Sequence, residues 1–172
     1  MEINASSVYD KKTIVAYTKQ SIKRFKPLYI ILYILFGFMF IVDLYDIIAL
    51  DASISVLIAP VFICAFFLLF IYVFLPKLNY KMQKTTTDTI NKYTFYDTKL
   101  VAISTAKGIT STSEVEYSTL DRVLENKKYI YIYIAKDKAM IVDKSTITNG
   151  SIDEIRCAIT SQIGTNKYKI KV

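Results

Sequence analysis

The chain has 172 residues, a formal net charge of +7, no His, no Trp and two Cys. Its hydrophobic content of 53% and mean hydropathy of +0.33 exceed those of an ordinary soluble domain and direct attention first to membrane segments. Cys64 and Cys157 stand far apart and fit no zinc, redox or disulfide spacing, and the absence of His removes the commonest acid–base catalyst.

The charge is distributed unevenly along the chain. Residues 1–27 carry +4, residues 28–75 carry −3, residues 76–85 carry +3 and residues 86–172 carry +3. The excess flanks an apolar block, which speaks against a nucleic-acid-binding face.

Residues 1–27 read as a basic amphipathic segment. Ile14, Tyr17, Ile22 and Phe25 recur at helical spacing, with Lys19 and Lys23 opposite. Such a helix either lies on the inner leaflet or packs on the remaining domain, and the pattern is compatible with both.

Residues 28–76 read as a transmembrane helical hairpin, with spans at about 28–50 and 53–75. The second run, Ser53 to Leu75, has no charge. The first has fifteen uncharged residues, Leu28 to Val42, and continues through Asp43 and Asp46. About 20 helical residues cross a bilayer core, so the first span extends to the region of Asp43 or the bilayer thins there. Lys19, Lys23, Arg24 and Lys26 precede the hairpin, Lys77, Lys81 and Lys84 follow it, and Asp51 joins the two acids near the connection. This arrangement predicts cytoplasmic termini and a short outer loop in the plasma membrane. Pro27 and Pro76 bracket the hairpin, and Pro60 is placed to kink the second span. Asp43 and Asp46 read as wet-end residues rather than an ion path, because no basic residue lies between Pro27 and Pro76.

Residues 77–91, including the polar run Thr85–Thr89, read as a linker. Residues 92–164 then alternate in short strand-like runs. Tyr93 and Phe95 share one side, and Lys107–Gly108 is a turn signal. Ser111, Ser113, Val115 and Tyr117 oppose Thr110, Thr112, Glu114 and Glu116. The run YIYIYIA, Tyr129–Ala135, places Ile130, Ile132 and Ile134 on one face and Tyr129, Tyr131 and Tyr133 on the other. Seven residues are too few for a membrane β-strand, so this is a central strand of a soluble antiparallel sheet. Its lysines, Lys127, Lys128, Lys136 and Lys138, guard against aggregation. Together with the three tyrosines they are the candidate lipid or partner contacts. Ser151 and Glu154 form a capping box, and Ile152, Ile155, Ile159 and Ile163 form the apolar stripe of a helix ended by Gly164. The basic tail 165–172 reads as a last strand or as irregular chain. Cys157 reads as a packing or surface residue.

The stretches YTFYDTKL (93–100), YSTLDRVLENKKYIYIYI (117–134), AMIVDKSTI (139–147) and SIDEIRCAI (151–159), following a two-helix hairpin, resemble the YcxB-like family of bacterial membrane proteins. Tyr117 and Asp143-Lys144 stand where the family carries Trp and Pro-Lys, which marks a divergent member. The resemblance implies an α+β membrane protein: a helical hairpin followed by a small antiparallel pleckstrin-homology-like (PH-like) barrel or sheet, closed by a C-terminal helix. It implies a cell-membrane location and brings no catalytic residues.

Functionally, the chain reads as non-enzymatic, with no cofactor and no metal site. The expectation is a membrane-held protein-binding or sensing module, with membrane lipids and a protein partner or a second copy as its contacts and no nucleic acid. An anionic-lipid-binding module and a small oligomeric transporter or immunity-type protein are the alternatives.

Overall fold

A computed structural model describes residues 2–23, 26–50, 53–82 and 88–170. Arg24, Phe25, Asp51, Lys84 and Thr85–Thr87, which entered the sequence reading above, lie outside the described residues. The chain forms two compact units, Met1–Thr13 with Lys84–Val172, and Ile14–Gln83.

Among the described residues the first unit contains eight strands. β1 (Ile3–Val8), β2 (Ile90–Phe95), β3 (Lys99–Ala106) and β4 (Ile109–Glu116) form one sheet in that order. β5 (Arg122–Glu125), β6 (Tyr129–Ala135), β7 (Lys138–Asp143) and β8 (Tyr168–Ile170) form the second, in the order β7-β6-β5-β8. A closed barrel is not found among the described residues. Leu120 is anchored in the core after the 3-10 turn Tyr117–Thr119, and the edge of β5 is taken by β8, so β4 finds no partner there. β5 and β8 run parallel, which departs from the all-antiparallel expectation.

The first strand comes from the N-terminus, within the segment expected to be basic and amphipathic, of which the sequence alone left open whether residues 1–8 join the sheet. β1 pairs antiparallel with β2 from Ile3↔Phe95 to Val8↔Ile90. Its inward side chains Ile3 and Ala5 join a core with Phe95, Leu100, Val123, Ile130, Ile132 and Val142. The α-helix near the C-terminus, Ile152–Ile163, covers this core with Ile155 and Ile159, both fully buried. It carries the expected capping box, Ser151 Oγ accepting from Glu154 N–H and Glu154 accepting from Ser151 N–H. The preceding turn holds Asn149 at a φ of 62°. Gly150 follows because a Cβ there would fall 2.5 Å from Ile3 Cγ1.

The strand YIYIYIA is central, as its alternation predicts, but both faces are covered. Ile130 and Ile132 are fully buried, and Tyr129, Tyr131 and Tyr133 are at most 5% exposed.

Among the described residues, the rim of the core holds a buried carboxylate. Glu125 is 1% exposed and receives four hydrogen bonds. Arg156 Nε and Nη2 donate at 2.8 and 2.6 Å, Lys144 Nζ at 2.7 Å and Tyr168 OH at 2.9 Å. The C-terminal helix, the turn after β7 and β8 are thus tied to one anion. Burial pushes the Glu125 carboxyl up, but the bonds from Arg156, Lys144 and Tyr168 outweigh it and hold it down at about 2.

The second unit is helical. α1 (Lys11–Ile22) begins in the first unit, where Thr13 N–H donates to Asp10 Oδ1, and continues into the second with Ile14 and Ile22 buried and Lys19 and Lys23 exposed. α2 spans Lys26–Ala49 and runs through Asp43 and Asp46. After Ser53, which caps the next segment, a 3-10 turn (Ile54–Leu57) leads into α3 (Ile58–Leu69) and α4 (Leu75–Met82), so the C-terminal helix above is α5. Between α3 and α4 lies a π-helical turn, Phe70–Phe74, in which Leu75 N–H donates to Phe70 O. Pro76 lacks an N–H and crowds the preceding turn. The wider turn absorbs that conflict, and the helix continues past the boundary expected at residue 75. Among the described residues two helices, Tyr29–Ala49 and Ile54–Met82, are long and apolar enough to cross a membrane, with mean hydropathies of 2.1 and 2.9.

Glu125 generates a signed pH prediction. A depressed carboxyl contributes stability that is fully present above the unfolded value near 4.3 and is lost as pH falls toward 2. Glu125→Gln is expected to destabilise the sheet unit by about 3 kcal/mol at pH 7 and to flatten this acid dependence. Urea unfolding in detergent, followed by tyrosine near-UV circular dichroism, measures both.

Candidate binding groove

Side chains on the core face of the β1–β4 sheet change character along the strands. On β2 the inward series is Phe95, Tyr93, Asn91, and on β3 it is Leu100, Ala102, Ser104, Ala106. At the β3–β4 turn end the apolar core therefore gives way to amides and hydroxyls. A groove of about 450 Å³ opens there, lined by residues including Asn91, Ser104, Lys107, Ile109, Ser111 and Met140. The turn itself, Lys107–Gly108, has both residues at positive φ, 49° and 80°, the geometry of a tight two-residue hairpin loop.

The groove has a fixed polar floor. Asn91 is 4% exposed. Its Oδ1 accepts from Ser104 Oγ at 2.5 Å, while among the described residues its Nδ2 has no hydrogen-bond partner. Tyr93, beside it on the same face, is 2% exposed. Its hydroxyl lies 3.5 Å from that of Tyr9, which in turn accepts from Ile141 N–H at 3.2 Å. Burial, reinforced by Tyr9, pushes the Tyr93 phenol well above its usual range. Both phenols therefore remain neutral at physiological pH.

β4 forms the open side of the groove. From Ile109 to Ser113 every residue is exposed, and β4 is the edge of its sheet. An eight-residue unpaired edge is long for a native sheet and is a ready template for another chain. Its charges are confined to the far end, where Lys99 Nζ meets Glu114 Oε1 at 2.6 Å.

The residues singled out from sequence lie elsewhere. Lys127 and Lys128 are exposed at the start of β6, and Lys136 and Lys138 at its other end. At about 3.3 Å per residue the seven-residue strand between the two pairs spans roughly 20 Å, so they form no single basic pocket. Lys128 sits over the Tyr129 ring and 3.7 Å from Asp143. Arg122 stacks over the Tyr133 ring at 4.2 Å. The burial of Tyr129, Tyr131 and Tyr133 corrects their reading as surface contacts: their rings serve packing. Cys157 is exposed, and among the described residues no group of three or more His, Cys, Asp or Glu could hold a metal ion.

Residues 102–157 match the family model described as YcxB-like protein. This match supports membership of the YcxB-like family. It runs from Ala102 in β3 to Cys157 in α5. The YcxB-like region thus includes Ser104, Lys107, Ser111 and Met140 of the groove, whereas Asn91, β1 and the helical unit lie outside it. No curated protein and no solved structure matches the chain.

The sequence reading missed the groove. Its signal was present as Asn91 and Ser104, polar residues at inward positions of otherwise apolar strands. Both stand in register opposite one another, which only the pairing reveals.

An unpartnered buried amide is a cost that the folded chain carries without a ligand. Asn91→Leu is therefore expected to stabilise the protein by about 1 kcal/mol, read as a raised urea midpoint with unchanged slope. Destabilisation would show that the bond from Ser104 to Asn91 Oδ1 outweighs the cost of the unpaired Nδ2.

Proposed function

We propose that this YcxB-like chain is a non-enzymatic membrane protein that presents a PH-like unit at the cytoplasmic face as a protein-binding and sensing module. The observation that carries this reading is the groove, with its buried unpartnered amide beside an open sheet edge. Two apolar helices with almost wholly exposed side chains support anchoring: only Pro60, Ile71 and Pro76 are buried across the second. The PH-like assignment is supported by strand order: an antiparallel sheet β1-β2-β3-β4, a meander β5-β6-β7 in the second sheet, and α5 covering the core. Lysines before and after the hairpin support cytoplasmic termini. Anchoring raises the local concentration of any partner held at the same membrane, so a weak contact is sufficient.

A photo-cross-linker tests this reading when placed at Thr112, on the exposed face of the β4 edge. It is expected to give a discrete adduct to a cytoplasmic protein or a second copy in intact cells, recovered with membranes, while the same group at Lys169 gives none. Absence of an adduct at Thr112, or capture of proteins from the outer side alone, would contradict it.

A further inference from the structure

The groove carries enough chemistry to name a ligand class. We propose that it binds a small amphipathic carboxylate, with the acid received by the Asn91 amide and the apolar body lying along Ala102, Ile109 and Met140. This inference rests on the sensing reading above and deepens it.

The first support is the amide. Ser104 holds Asn91 Oδ1, so the free Nδ2–H₂ requires an acceptor. A buried donor without one costs about 1–3 kcal/mol, and a ligand acceptor removes that cost. The second is charge. Among the described residues lining the groove, Lys107 is the one with a basic side chain and none has a carboxylate. An ammonium ligand finds no counter-charge there, and a pure hydrocarbon leaves Nδ2 unpaired. The hydroxyl of Ser111 adds a donor along the open wall, while that of Ser113 donates to Ala102 O. The third is size and surface. A groove of about 450 Å³ with largely apolar walls and a few convergent polar groups falls in the range of small-ligand sites. One cation on apolar walls suits a monoanion better than a phosphate dianion, whose second charge would stay uncompensated.

The test uses the full chain in neutral-lipid nanodiscs with ¹⁵N-labelled asparagine, titrated with sodium hexanoate. The Asn91 side-chain NH₂ resonances are expected to shift and saturate. Hexanol is expected to bind at least about tenfold more weakly, and hexylammonium and inorganic phosphate to leave the resonances unmoved. Lys107→Glu is expected to weaken hexanoate by about threefold, and Asn91→Leu, followed through the neighbouring amides, to abolish saturable binding. No saturation by hexanoate, equal binding of hexanol, tighter binding of phosphate, or unchanged binding in Asn91→Leu would overturn the assignment. If hexanoate fails while Thr112 still cross-links a partner, the carboxylate assignment falls and the binding-module reading stands.

Discussion

The sheet unit depends on the return of the N-terminal strand. Residues 3–8 are separated from β2 by the entire helical segment, yet they pair with it over six residues. Two further bonds close the pairing where the helical segment leaves and re-enters: Tyr9 N–H donates to Thr89 O, and Asp88 N–H donates to Tyr9 O. β1 also links the two sheets. Asn4 and Thr148 exchange backbone hydrogen bonds at 2.8 and 3.0 Å. Thr146 Oγ1 accepts from Ser6 N–H at 2.9 Å and donates to Ser6 O at 2.8 Å. Removing β1 would expose β2 as a second bare edge and open the core beside Ile3 and Ala5. Closing so long a segment costs chain entropy, and the ladder, the inter-sheet bonds and the buried side chains offset it together.

Strand and helix identities were legible wherever a single period dominated. The Tyr129–Ala135 strand, the Lys107–Gly108 turn and the Ser151 capping box all follow from local chemistry. The continuation of α2 through Asp43 and Asp46 likewise agrees with the span-length argument. The elements that were not legible depend on distant partners. β1 reads INASSV, too short and too polar to announce a strand, and becomes one because β2 lies ready to pair. The tail strand β8 is settled by pairing with β5 and by the bond from Tyr168 to Glu125.

The tyrosine face shows the same limit. Alternation correctly separates Tyr129, Tyr131 and Tyr133 from the isoleucines, but period alone does not say whether a second face is wet. The candidate site was hidden for a related reason. Asn91, Ser104 and Lys107 are unremarkable in sequence, and their meaning arises when strand pairing sets an amide against a hydroxyl at the end of an apolar core. A core that turns polar while remaining buried carries a cost, and the unpartnered Asn91 amide places that cost within the groove. Glu125 is the counter-example. It is equally buried, but Arg156, Lys144 and Tyr168 all donate to it, so it stabilises the fold.

The central claim, that residues 3–8 are a structural strand of the sheet unit, is tested most directly by hydrogen exchange on the full chain and on a chain lacking residues 2–8. The account predicts that the deletion strips protection from β2 and from residues 144–148 while the helices of the second unit remain protected. Unchanged protection of β2 and of residues 144–148 would contradict it.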